Sequence, residues 1–369
     1  MDYANGTRLF KYQWDQIHDP VTVLGLFQSD ESAASVNTET FTIQLKNGES
    51  VINSNCYVLI SAEPAMPTLS VKAVSSNSLS TSEVSFRLKI EYRRDIRQDE
   101  DSFPLSGWKK LKANEQWNID FENKIRGGKA TLYFKYGETT ITEVFYIRGT
   151  NPTEQSVKDY IIAQSYDIWF LTRLIRQESN YRQFNPGTNY GTGWNDSQGC
   201  TNFGPPHGWG LMQLDLLDGG QRPTAQQLWN WKANIDRGYQ FLNGEKKTMV
   251  NNTLNNATDV LNTWYEEHKD DIVAGHIDQV EGLITYTHAN SEHFDFSFGA
   301  EILEQSKSFA DAAWIKNYNG SSGGTDGYPG FYYLIKQLSA TNNNKPFWAI
   351  HRTNNNDHNY VEAVSNRVE

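Results

Sequence analysis

The chain has 369 residues, of which 38% are hydrophobic and 13% aromatic. This length is large for one hydrophobic core and comfortable for two domains, and the many aromatic residues exclude a disordered chain. Lys and Arg number 33 and Asp and Glu 44, so the net charge is −11. Residues 151–369 carry 16 basic against 25 acidic side chains, which argues against nucleic acid or an anionic membrane as a general partner. Any anionic polymer must therefore be held by local contacts.

Location and redox state are constrained by three further features. No apolar run approaches the roughly 18 residues that a membrane span needs, so no membrane partnership is predicted. Residues 1–16 show no basic segment followed by an apolar one, so we expect no Sec-type signal. Cys56 and Cys200 are too few for a disulfide scaffold or a cysteine-rich zinc site, and a cross-domain disulfide and two thiols both remain open.

Residues 39–150 are predicted to form an antiparallel β-sandwich of the immunoglobulin-like kind, following an N-terminal segment of residues 1–38. Alternation of apolar and polar residues predicts strands that bury one face and expose the other. The clearest of these strands are 40–45, 56–60, 83–92, 130–136 and 142–147. Turn signals such as Lys46-Asn47-Gly48 separate them.

The pattern changes to a helical one after residue 150, which predicts a second, mainly α-helical domain over 151–369 and an α+β chain overall. Apolar residues recur at three and four positions from Val157 to Ile175, which predicts one long helix with Thr153 as its N-cap. Further helices are predicted near 224–243, 254–270, 276–287, 299–316, 328–340 and 358–368. The long stretch from Asn185 to Trp209 lacks periodicity, and loops of that length are usually functional.

A single acidic residue stands at the end of the first predicted helix. Glu178 follows Leu174 by four positions and Ile175 by three, which places it on the inward side of the last turn. Burial raises the pKa of a carboxyl, and a carboxyl that keeps its proton can act as a general acid. An acid at a helix end is, however, more often a cap or an ion-pair partner, so position alone does not assign a role.

Four later segments give Glu178-Ser179 its context. They are Gly210-Leu211-Met212-Gln213-Leu214-Asp215, Asn234-Ile235-Asp236-Arg237-Gly238, Asn317-Tyr318-Asn319-Gly320 and Tyr360-Val361-Glu362-Ala363-Val364. This ordered set resembles the lysozyme-like glycosidases, in particular the soluble lytic transglycosylases, over the second domain only. Leu214-Asp215 and Gly193-Trp194-Asn195-Asp196 are similar to goose-type lysozyme. The 19 positions between Asp196 and Asp215 exceed that family's spacing, which weakens the match of Asp196.

The resemblance implies cleavage of the β-1,4 bond between N-acetylmuramic acid and N-acetylglucosamine in peptidoglycan strands, with no cofactor or metal. Glu178 would be the general acid. In an inverting hydrolase, Asp215 or Asp196 would activate water from a carboxyl roughly 6.5–9.5 Å away. In a lytic transglycosylase, Glu178 would act alone and the sugar's own 6-hydroxyl would give a 1,6-anhydro product. The same residues are also compatible with a chitinase or with an inactive glycan-binding protein.

The resemblance also suggests residues that contact the sugar, although each of them could instead have a purely structural role. Ser179 and Tyr318 would lie near the catalytic carboxyl, Gln213 would offer its amide to the sugar, and aromatic loop residues would stack on the rings. The full set is Ser179, Gln213, Tyr318, Asn319, Met212, Trp194, Trp209 and Tyr190. We expect action in the periplasm or cell wall after export without a classical signal peptide, as an antibacterial effector toxin or a phage lysin. An effector would imply an immunity protein that plugs the cleft.

Overall fold

The computed structural model describes residues 39–94, 97–187, 189, 197–205, 207–215, 222–252, 266–267, 270, 294–295, 309–319, 332–335, 347–350 and 360–365. Within them the chain is α+β, with strands concentrated before residue 150 and helices after it. No helix in this described part has the length and hydropathy that crossing a membrane requires.

The first region consists of strands connected mainly by short turns. Their bounds are Phe41–Asn47 (β1), Ser50–Val51 (β2), Tyr57–Ile60 (β3), Leu69–Ser75 (β4), Glu83–Arg94 (β5), Arg97–Phe103 (β6), Lys109–Lys112 (β7), Gln116–Asn118 (β8), Gly128–Tyr136 (β9) and Thr139–Gly149 (β10). The five strands predicted from alternation are confirmed. The prediction missed strands such as β6 and β8, whose polar composition gives no such signal.

These strands form two sheets that share one hydrophobic core. The smaller has the order β2-β1-β4-β8 and the larger the order β3-β10-β9-β5-β6, with β7 also pairing with β5. Along β5, Val84, Phe86, Leu88 and Ile90 are at most 1% exposed, so every second residue faces the other sheet. Residues of both sheets contribute to a single buried cluster, which explains why the alternating pattern is so regular.

The prediction of purely antiparallel pairing is wrong at one edge of the larger sheet. β3 pairs with β10 in parallel register, with Tyr57 opposite Tyr146 and Ile60 opposite Gly149. The chain leaves the smaller sheet after β2 and joins the edge of the larger sheet at β3. A strand that arrives by such a crossing does not have to reverse direction as a hairpin does, so the connection permits the parallel pairing.

The second region contains short helices and small sheets. The helices are Glu154–Ala163 (α1), Leu171–Ser179 (α2), Ala225–Trp229 (α3), Trp231–Phe241 (α4), Phe309–Tyr318 (α5) and Tyr360–Ser365 (α6), with a π-helical turn at Leu242–Lys246 after α4. The strands are Phe203–Gly204 (β11), Gly208–Trp209 (β12), Phe294–Asp295 (β13), Tyr332–Ile335 (β14) and Phe347–Ile350 (β15). The helix predicted over 328–340 is wrong at β14, which pairs with β15 instead.

The helix predicted to run from Val157 past Ile175 is two helices. Thr153 is the N-cap, as predicted, and accepts a hydrogen bond from the backbone N–H of Ser156 at 3.0 Å. The first helix stops before Ser165, whose φ of 55° is incompatible with a right-handed helix. The same apolar spacing continues into α2, so the periodicity gives no sign of the break.

Asp236 on α4 holds the segment between α1 and α2. The hydroxyls of Tyr160 and Tyr166 both donate to its Oδ1, at 2.7 and 2.8 Å. Burial, followed by these hydrogen bonds to Asp236, raises the pKa of both tyrosines. The break in the helix is therefore stabilised by a residue 70 or more positions away, which no local pattern can predict.

The two regions are joined by direct contacts. The indole N–H of Trp231 donates to the carbonyl of Ala62 at 2.8 Å, and the guanidinium of Arg126 donates to Gln226 Oε1 at 2.9 Å. Phe184 and Trp209 from the second region belong to the buried cluster of the two sheets. The β region therefore supports the loops of the helical region. The boundary near residue 150 stays a prediction.

The two cysteines are thiols and are not joined by a disulfide. Cys56 lies just before β3, whereas Cys200 follows Gly199, whose carbonyl accepts from the N–H of Gly149 at 2.8 Å. Gly149 pairs with Ile60 at the far end of β3. Four residues of strand span about 13 Å, beyond the roughly 7 Å between Cα atoms that a disulfide allows.

Candidate active site

Glu178 lies in the last turn of α2, next to two fully buried positions of that helix. Leu174 and Ile175 belong to the helical core. The helix ends because Asn180 and Tyr181 adopt left-handed conformations with φ of 52° and 61°. Glu178 itself is only partly buried, so part of its surface stays open. A carboxyl that must both keep a proton and meet a substrate needs this combination.

Two tyrosines from distant segments lie near the carboxyl of Glu178. The hydroxyl of Tyr360, in α6, donates to Glu178 Oε1. Burial raises the pKa of Glu178 above its ordinary value, although the hydrogen bond from Tyr360 acts in the opposite direction. Burial also raises the pKa of Tyr318 and Tyr360, and the nearby charge of Glu178 raises both further. In all three groups the pKa is therefore shifted in the direction of the neutral form.

The turn Gly210–Gln213 lies against Tyr318. The hydroxyl of Tyr318 donates to the carbonyl of Met212. On the other side of the turn, the backbone N–H of Met212 donates to Asn234 Oδ1 at 2.8 Å. Met212 is fully buried, so its backbone polar groups need these partners. The turn is thus fixed between α4 and α5.

The glycines of this part of the sequence are explained by close packing. A Cβ on Gly210, whose φ is +74°, would lie 2.5 Å from Asn234 Nδ2. A Cβ on Gly238 would lie 2.5 Å from Met212 Cγ. Asn234 and Gly238 are four residues apart and therefore lie on the same face of α4. Asn234 bonds to the backbone of Met212, and the missing side chain of Gly238 leaves space for the Met212 side chain.

One important residue was missed by the sequence reasoning. Gln183 is fully buried, accepts from the N–H of Leu211 at 3.0 Å and donates to the carbonyl of Leu228 at 2.7 Å. Asn234, which belongs to one of the five predicted segments, likewise donates to the carbonyl of Trp209 at 3.1 Å. Together the two amides satisfy the backbone on both sides of the turn. No periodicity marks a buried amide in a loop, so only the structure identifies Gln183.

Two predicted sugar-binding residues have their polar atoms engaged by neighbouring backbone. Ser179 Oγ donates to the carbonyl of Ile175 at 3.2 Å and accepts from the N–H of Arg182 at 3.3 Å. Gln213 Nε2 donates to the carbonyl of Gly210 at 2.7 Å. These contacts match a structural role for each residue. Those of Ser179 fix the backbone around Glu178, and that of Gln213 fixes the turn that contains Met212.

The remaining predicted residues are distributed unevenly. Trp209 is 2% exposed and packs on Phe203 with ring centroids 4.6 Å apart, so it anchors the loop. Asp215 is exposed at the end of the turn, and Asn319 is exposed at the end of α5. Asp196, Trp194 and Tyr190 lie outside the described residues. The structure therefore brings together Glu178, Met212, Tyr318 and Tyr360, and Asn234 adds the fifth predicted segment through its bond to Met212.

The chemistry available to this group is acid catalysis. Within the described ranges, no cluster of three His, Cys, Asp or Glu side chains has the geometry of a metal site. The group instead offers one carboxyl with a raised pKa, a tyrosine donor on it and a second tyrosine nearby. Such an arrangement can deliver a proton to a leaving group.

Comparison with models of protein families and with curated proteins assigns no function to the chain. No model of a protein family matches the chain, and no curated protein matches it either. The burial of Glu178 and the contacts around it therefore carry the assignment.

The hydrogen bond from Tyr360 gives a prediction about pH. This bond favours the charged form of Glu178, so Tyr360→Phe should raise the pKa of Glu178 further. A general acid works only while protonated, and its activity falls as the pH rises through its pKa. The alkaline limb of the pH–rate profile should therefore move to higher pH. Tyr166→Phe, which removes a similar bond to Asp236, is the control and should leave the limb in place. A shift to lower pH in Tyr360→Phe would contradict the role given to Tyr360.

Proposed function

We propose that the chain is a peptidoglycan glycosidase that cleaves the β-1,4 bond between N-acetylmuramic acid and N-acetylglucosamine. The observation that carries this proposal is the position of Glu178 at the end of α2, where burial raises the pKa of its carboxyl while part of the residue stays open. The contacts that Tyr318 and Tyr360 make with Met212 and Glu178 support it, because they join segments that resemble those of lysozyme-like enzymes.

In the proposed reaction, Glu178 gives its proton to the oxygen of the glycosidic bond. The bond between the anomeric carbon and that oxygen then breaks, and the electron pair stays on the protonated leaving sugar. Positive charge develops on the other sugar, and the Glu178 carboxylate left behind stabilises it. Tyr360, as a donor to Glu178 Oε1, helps the acid release its proton at the moment of cleavage.

Two routes complete the reaction. In the hydrolytic route, which we favour, Asp215 or Asp196 activates a water that attacks the anomeric carbon. Asp215 is exposed at the end of the turn held by Tyr318 and Asn234. In the transglycosylase route, Glu178 takes back a proton from the sugar's 6-hydroxyl, and a 1,6-anhydro end forms. An inactive glycan-binding protein would keep the cleft and perform neither step.

Digestion of purified sacculi tests this proposal. We expect the full chain to release muropeptides with reducing ends, and mass spectrometry to show no product one water lighter. Anhydro ends would overturn the hydrolytic route in favour of the transglycosylase, and release of no fragment would overturn the glycosidase. Chitin oligomers serve as the control substrate, since cleavage of these in place of sacculi would indicate a chitinase.

The β region is proposed to be an immunoglobulin-like sandwich. In support, β1 and β3 belong to different sheets, β1 pairs antiparallel with β4, and β3 pairs parallel with β10. Two packed sheets with a chain that crosses from one to the other between β2 and β3 are compatible with such a sandwich. We further propose that the protein acts in the periplasm or cell wall as an effector or lysin, and an effector would need an immunity protein.

A further inference from the structure

The outer face of the larger sheet carries a concentration of positive charge. Phe86 and Leu88 of β5 are fully buried, so Arg87 and Lys89 project to the opposite side. On β5, β6, β7 and β9, the same alternation and the strand register place seven basic and three acidic side chains on this outer face: Arg87, Lys89, Arg93, Lys110, Lys112, Lys129 and Lys135, with Glu83, Glu91 and Glu100. The face therefore has a net charge of +4 on a chain whose net charge is −11.

The acidic side chains neutralise only part of this charge. Lys89 lies 3.2 Å from Glu91 and 3.4 Å from Glu100, and Lys110 lies 3.0 Å from Glu83.

Arg87 and Lys135 are placed differently. Arg87 donates to Ser102 Oγ at 2.8 Å, and a hydroxyl leaves its charge uncompensated. Lys135 is exposed and forms no ion pair with any residue that the structure describes. Both cations are therefore available to an anionic ligand, as are Lys112 and Lys129, for which the described residues likewise show no ion pair.

An aromatic pair lies beside these cations. Trp108 is 38% exposed, and its ring meets that of Tyr133 edge-on, with centroids 6.5 Å apart. Tyr133 is directly opposite Arg87 in the strand register, and Lys135 follows two positions later on the same face. An exposed indole offers an apolar surface to a sugar ring, whereas a guanidinium pairs with a carboxylate through two parallel hydrogen bonds.

We propose that this face, formed by Arg87, Trp108, Tyr133 and Lys135, binds a carboxylate-bearing glycan and so holds the enzyme on its substrate. The proposal rests on the proposed function, in which the substrate strand carries peptides with free carboxylates. A protein with a net charge of −11 is repelled by such a polymer. A cationic face on the β region supplies the local contact that overcomes this repulsion.

Co-sedimentation with sacculi freed of phosphate-containing wall polymers tests the proposal. The full chain carrying Glu178→Gln is used so that the strands stay uncut. Adding Arg87→Gln and Lys135→Gln should weaken binding about tenfold, as expected for two exposed charge contacts, and Trp108→Ala should weaken it similarly. The matched control is Lys46→Gln with Lys72→Gln, on the outer face of the smaller sheet, which should bind like the parent.

Chemical amidation of the carboxylates on the sacculi should remove the binding, and added salt should weaken it. Unchanged binding by the Arg87 and Lys135 variant, or after amidation, would overturn the proposal. Binding only to sacculi that retain phosphate polymers, or only to nucleic acid, would also overturn it. Failure of the proposed function gives a different result, because the wild-type chain would then bind sacculi without cutting them.

Discussion

Glu178→Gln should lower the rate of muropeptide release from sacculi by about a thousandfold, since general acid catalysis contributes roughly 10²–10⁴. The substitution keeps the size of the side chain and an oxygen that accepts from Tyr360, but it removes the proton that the leaving oxygen needs. The measurement is the initial rate of release at the pH optimum of the wild-type chain. Retention of a tenth or more of that rate would contradict the assignment of Glu178.

The stability of the same variant provides an internal control. The pKa of Glu178 is raised in the folded state, so the native chain binds a proton more tightly than the unfolded chain does. Its contribution to stability therefore falls as the pH rises from the unfolded pKa towards the folded one. Gln carries no charge, so its burial does not incur the cost of burying a carboxylate. Glu178→Gln should therefore unfold at the same temperature as the wild type or higher at neutral pH. Lower activity with a lower unfolding temperature would point to misfolding.

A second carboxyl offers a contrast. Glu154 also lies in the helical region, but Arg176 and Lys158 bond to it and lower its pKa, and its side chain is 39% exposed. Glu154→Gln should leave muropeptide release within about twofold of the wild type, because exposed ion pairs contribute little. If Glu178→Gln loses activity and Glu154→Gln does not, the loss is due to the missing acid proton and not to removal of a carboxyl from this region in general.

Asn234→Ala should destabilise the protein by about 3 kcal/mol, since it leaves several buried backbone groups without partners. Asn234 is fully buried, accepts from Met212 N–H and donates to the carbonyls of Trp209 and Gln227. The turn that carries Met212 would lose its anchor, so release from sacculi should fall as well. The free energy of unfolding is measured in urea, and activity at a temperature where the variant stays folded.

Gln240→Ala is the matched control for Asn234→Ala. Gln240 is an amide in the same helix, α4, but its side chain is exposed. Its removal should change stability by less than about 0.5 kcal/mol. A loss below about 1 kcal/mol for Asn234→Ala would show that water or a shift of the turn replaces its hydrogen bonds, against the role given to it here.

Local patterns predicted five strands of the β region and the start of the first helix, because those features depend on neighbouring residues. Alternation along β5 reflects burial of every second side chain, and Thr153 caps α1 through a residue three positions away. The inward position of Glu178 also followed from its spacing to Leu174 and Ile175. Two buried residues three and four positions before it are enough to place a helical residue on the buried side of the helix.

The same reasoning could not predict features set by distant residues. Apolar spacing continues across the break between α1 and α2, which Asp236 stabilises from another helix. Buried amides such as Gln183 and Asn234 leave no periodic trace, although they hold the turn at Met212. The parallel pairing of β3 depends on a crossing between sheets.

The sequence by itself predicted five strands of the β region and the inward position of Glu178, because short-range periodicity encodes which side of an element is buried. Only the tertiary structure decided the surroundings of that acid. Tyr360 lies 182 residues from Glu178 along the chain, and Tyr318 lies 106 residues from Met212. Whether a carboxyl keeps its proton depends on the water and the donors around it, and folding alone brings those groups together.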